Sequence, residues 1–115
     1  MSKSWHAYAL HILDVAAKIE RIQARGDLTQ DEVLYDATLR NLQTLSEATQ
    51  LIPQELKSAF PAIPWREISG FRNILVHNYL GDIDVLTIQA VVNQHLPPLV
   101  ASVKSMLAAD EPSNT

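Results

Sequence analysis

Apolar residues recur every three or four positions along most of the chain, and two-residue alternation is scarce. This pattern predicts an all-helical protein. A first helix is expected from about Ser4 to Arg25, with Ser4 as its N-cap. Trp5, Tyr8, Ile12, Val15, Ile19 and Ile22 form its apolar stripe, widened by Ala9 and Ala16. Gly26 then stops it. In the turn GDLTQDE, Thr29 and Glu32 have the spacing of a capping box. A second helix follows to about Leu51, with Leu34, Ala37, Asn41, Leu42, Leu45, Ala48 and Ile52 on its buried side.

Prolines divide the remainder. Pro53 ends the second helix and opens a short third one in PQELKSAF, which Pro61 closes. Pro64 opens a fourth, with Trp65, Ile68, Phe71 and Leu75 on one face, and Gly81 ends it. Asp84 caps a fifth through Val91 and Val92. Pro97 and Pro98 are expected to break or kink that helix, leaving a last segment from Leu99 to Leu107. Five to six helices with short connections make a helical bundle. Residues 1–108 are read as one domain, and 109–115 as a polar tail that frays.

Composition narrows the class. The 115 residues include no cysteine, which excludes disulfides and thiolate metal sites and fits a cytoplasmic protein. MSKSWHAYAL has no signal-peptide core, and no apolar run reaches the roughly 18 residues of a membrane span. The net charge of −4 argues against coating nucleic acid by charge alone, though not against a local basic site.

The densest chemistry lies in FRNILVHNYLG, residues 71–81. On a helical wheel with Arg72 at zero, Tyr79 falls at about 340°, Val76 at about 40°, Leu80 at about 80°, Asn73 at about 100° and His77 at about 140°. Asn73 and His77 are an i, i+4 pair. Arg72 and His77 diverge by about 140°, so one chain does not bring both onto a small ligand. A two-fold copy would, and Val76 and Leu80 on the polar side suit such a meeting. Arginine matches phosphate oxygens at any working pH. Histidine moves protons near neutrality. Asn73 can orient the imidazole or donate to an oxyanion. Together they suit metal-free RNA cleavage, in which the imidazole deprotonates a 2′-OH that attacks the adjacent phosphate and leaves a 2′,3′-cyclic phosphate. The plain alternative is cations favoured by a helix C-terminus, with Tyr79 merely packing.

Other polar residues have structural readings. His6 and His11, five apart, do not share a metal-binding face; surface positions are expected. His95 is read as closing a helix end, and Asp31, Glu32 and Asp36 as a favourable, solvated helix start. Glu47 is expected to pair with an arginine, and Trp65 and Phe71 to serve the core before any stacking on RNA. Lys57, Arg66 and Arg72 are candidates for a small positive patch.

RNILVHNYLG resembles the R-x4-H-x-Y motif of the HEPN superfamily, most closely its HepT toxin branch. HILDVAAKIERI, LYDATLRNLQTLSEATQLIP, AIPWREISGFRNILVHNY and HLPPL resemble successive segments of that branch, together spanning about residues 5 to 107. The LGDI stretch after Tyr79 departs from it, which leaves substrate placement less defined than the motif. The resemblance implies an all-α HEPN-like homodimer with a composite ribonuclease site. In it Arg72 and His77 are catalytic, Asn73 is a supporting polar residue, and no metal or other cofactor is used. It implies the toxin of a type VII HepT–MntA-like toxin–antitoxin system. The antitoxin, a minimal nucleotidyltransferase, would silence the toxin by attaching AMP to Tyr79. The implied partners are RNA, a second copy and that nucleotidyltransferase, with no membrane and no DNA. The alternative is a non-catalytic HEPN module that partners a nucleotidyltransferase.

Overall fold

The structure is a computed structural model and describes residues 4–66, 68 and 85–110. Helix α1 spans Ser4–Gln23, α2 Glu32–Gln50 and α3 Gln54–Ser58. Helix α4 spans Val85–Ala90, a π-helical turn follows at Val91–His95, and α5 spans Leu96–Asp110. Among the described residues every regular element is helical, as the hydrophobic spacing predicts.

Helix α1 packs against both α2 and α5. Its stripe is the one read from the sequence. Ala9, Ile12, Val15, Ala16 and Ile19 are buried, and Trp5, Tyr8 and Ile22 pack partly buried against them. Each fully buried Ile adds on the order of 2 kcal/mol through water-excluded apolar surface. Ile88, Val92, Leu96, Leu99, Val103 and Met106 complete the same core from the C-terminal run.

The buried side of α2 differs from expectation. Thr38, Ser46 and Thr49 are fully buried beside Leu34, Leu42, Leu45 and Ala48, whereas Ala37 and Asn41 are only half-buried. The hydroxyls remain inside because each donates to its own helix: Thr38 Oγ1 to the Leu34 carbonyl at 2.8 Å, Ser46 Oγ to Leu42 at 2.8 Å, Thr49 Oγ1 to Ser46 at 2.7 Å. A back-bonded hydroxyl carries little desolvation cost, so small polar residues serve as core spacers.

The loop between α1 and α2 corrects the expected capping box. The cap is Asp31, whose carboxylate accepts from the N–H groups of Val33 at 2.9 Å and Leu34 at 3.4 Å. Thr29 is committed elsewhere: its N–H and its Oγ1 both donate to the Asp27 carboxylate, at 2.9 and 2.6 Å. These two hydrogen bonds, the hydroxyl one foremost, hold the Asp27 carboxyl below its ordinary range. Leu28 is buried between the two polar turns and ties the loop to the core.

The break expected at Pro97 and Pro98 does not occur; the chain is helical throughout 85–110. The main-chain N–H of Leu96 donates to the carbonyl of Val91, five residues back. That wider turn resets the register, so both prolines fall in the first turn of α5, where a missing N–H costs least. It also suits the core pattern. Ile88, Val92 and Leu96 are spaced by four, which drifts by about 40° per step in a regular α-helix, and the wide turn takes up that drift. His95, expected to close a helix end, lies half-buried inside this turn.

Candidate active site

Arg72, Asn73, His77 and Tyr79 lie outside the described residues, as does Phe71. The structure defines the frame on either side of them. Upstream, the Pro53 carbonyl accepts from Leu56 and Lys57 at 3.0 and 3.2 Å and starts α3. The turn after α3 is pinned by Ile63, which is buried, and by Trp65, whose Nε1–H donates to the Phe60 carbonyl at 3.0 Å. Trp65 therefore packs as a core residue, as expected.

From there the predicted fourth helix begins on schedule. Trp65, Arg66 and Ile68 are helical, and the N–H of Ile68 donates to the Pro64 carbonyl at 3.0 Å, the first α-type bond after the proline. Ile68 is buried and Arg66 is exposed. Downstream, Ile88 is fully buried in the same apolar cluster as Ile68. Ile68 and Ile88, on either side of the motif in sequence, thus belong to one core.

The expected positive patch is not uniform. Arg66 is exposed, but Lys57 is buried to 9% exposure on α3, and burial pushes its ammonium below its ordinary value of 10.5. A lysine in that setting packs its stem first. Glu47 is exposed on α2. His11 is exposed, while His6 lies edge-on to Trp5 with ring centroids 4.2 Å apart. Among the described residues no three His, Asp or Glu side chains gather as a metal site. No helix among them is long and apolar enough to cross a membrane.

Sequence reasoning missed a groove of about 420 Å³ between α1 and the C-terminal run, bordered by Glu20, Gln23, Asn93 and Lys104. No spacing in the sequence signals it, because its two walls come from opposite ends of the chain.

Among the described residues the helices pack around one apolar core, and this all-α bundle defines the class. Comparison with known proteins defines the family. The model of the family "Ribonuclease HepT-like" matches residues 12–106, and the chain belongs to that family. A candidate RNase of Caldanaerobacter subterraneus subsp. tengcongensis is 31% identical over 112 residues, covering 95% of this chain and 99% of the relative. A Thermococcus cleftensis protein named "Probable ribonuclease HepT" is 33% identical over 95 residues, covering 77% of this chain and 86% of its own. A candidate RNase of Methanocaldococcus jannaschii is 31% identical over 79 residues, 69% of this chain and 72% of the relative. No solved structure matches the chain significantly.

Proposed function

We propose that this protein is a metal-independent endoribonuclease that acts as the toxin of a HepT–MntA-like pair in the cytoplasm, built as one domain over residues 1–108. The observation that carries the proposal is an intact R-x4-H-x-Y pattern at Arg72, His77 and Tyr79 in a member of a ribonuclease family. His77 is the general base that takes the 2′-OH proton. Arg72 neutralises the charge that grows on the phosphate. Asn73, one helical turn from His77, orients the imidazole. No cofactor is assigned.

The wheel positions support a homodimer, because Arg72 and His77 diverge on one helix and a two-fold partner supplies the missing half of each site. On the same wheel Tyr79 falls two turns from Arg72 and nearly in line with it. AMP attached there by a nucleotidyltransferase antitoxin would add bulk and negative charge where the substrate phosphate belongs.

Subunit mixing tests the composite site. Arg72→Ala and His77→Ala should each be inactive alone. After joint refolding, half of the dimers are mixed, and each mixed dimer holds one site with both residues intact. Activity then returns to about a quarter of the unmutated level by the two-fold arithmetic. No recovery from a verified mixed dimer would place both residues of a site in one chain, or remove them from catalysis.

A further inference from the structure

The groove between α1 and the C-terminal run combines a wide helical turn with polar and charged side chains. Its wall on the C-terminal side includes the π-turn, and π-turns of this kind concentrate at functional sites. Residues 97 and 98 are both proline, so neither can donate a main-chain N–H to Asn93, in α or in π register. The Asn93 carbonyl is therefore an acceptor with no helical donor, on an exposed residue that borders the groove. The volume, about 420 Å³, lies within the range of small-ligand sites.

The lining points to a particular chemistry. Pro97, Val100 and Ala101, which line the groove and are not buried, offer apolar surface for a ring. Gln23 and Asn93 carry amides, each with donors and an acceptor, which match the edges of nucleobases. Lys104, exposed on the α5 wall, supplies one cation for a phosphate. Glu20, on the opposite wall, repels a phosphate from its own side and accepts from ribose hydroxyls or an exocyclic amine. We propose that this groove holds one nucleotide unit, with its phosphate at Lys104 and its base against the π-turn. The inference deepens the ribonuclease reading, because an RNA strand anchored here would be held at a second point besides its cleavage site. A free mononucleotide has the same chemistry.

The test uses NMR of the 15N-labelled full chain carrying His77→Ala, so that binding is measured without turnover. One arm titrates the four mononucleotides AMP, GMP, CMP and UMP. The other titrates 2′-O-methyl RNA tetranucleotides, which cannot cleave. The expected result is saturable movement of the Asn93, Ala101 and Lys104 amides, with affinity reduced about five- to tenfold by Lys104→Ala. Movement in the RNA arm alone identifies a strand anchor; movement in both arms identifies a site that also takes free nucleotide. No movement of these amides at millimolar ligand overturns the proposal, as does binding that Lys104→Ala leaves unchanged. Groove binding with no RNA cleavage by the unmutated protein would sink the ribonuclease reading and leave the nucleotide site standing.

Discussion

Leu96 donates its main-chain N–H to the carbonyl of Val91, five residues back, and this bond sets the register of the helical run 85–110. It lets two successive prolines lie inside a helical run and keeps Ile88, Val92 and Leu96 in one core. A π-turn is one residue longer than the α-turn it replaces. Deleting the exposed Asn93 removes that extra residue, so the Pro97 and Pro98 rings would meet the carbonyls of a regular α-helix. The Tm should therefore fall, matching a loss of about 3 kcal/mol for a proline in a helix interior. A Tm held or raised would contradict this account of the turn.

Asp31, not Thr29, caps α2. Asp31→Ala should cost about 1 kcal/mol by denaturant unfolding, the usual loss for a side-chain cap. Thr29→Ala should cost less, because it loosens only an exposed turn. Equal costs, or the reverse order, would restore the capping box.

Gly26 has φ +159°, and a Cβ there would meet Leu34 Cδ1 at 3.2 Å. Gly26→Ala should destabilise by about 1 kcal/mol or more, through backbone strain and displacement of a buried leucine. An unchanged unfolding midpoint would contradict the strain.

Lys57 gives a pH signature. Its folded-state affinity for a proton is weakened by burial, so between its folded value and 10.5 the unfolded chain binds more protons. Its contribution therefore makes stability rise with pH in that alkaline window and is most unfavourable below it, at neutral pH. Lys57→Met should raise the Tm at pH 7 and abolish that part of the rise. A variant less stable at pH 7 would mean that the ammonium has a favourable partner.

Much of this fold was legible in the sequence. The α1 stripe from Trp5 to Ile22 was complete, because a long amphipathic helix writes its buried face in i, i+3, i+4 spacing. The breaks at Pro53 and Pro64 were equally plain. The buried side of α2 was only partly legible: Thr38, Ser46 and Thr49 count as polar by type and are neutralised by bonds to carbonyls in their own helix. The cap was misassigned because Thr29 is engaged by Asp27, which leaves Asp31 to accept from Val33 and Leu34. The π-turn was missed because a proline pair states where a regular α-helix fails, not how the chain compensates. The motif was visible as residue types at a spacing, and its residues lie outside the described ones.

The measurement that tests the central claim most directly is metal-free incubation of the purified, unmodified protein with total RNA in EDTA, beside His77→Ala, followed by analysis of the new ends across pH 5 to 8. The account predicts fragments with 2′,3′-cyclic phosphate ends, absent with the variant, and a rate that falls as the imidazole protonates below about 6.5. Cleavage that His77→Ala retains, or no cleavage by a folded, unmodified dimer, would contradict the ribonuclease assignment and leave a module that binds without reacting.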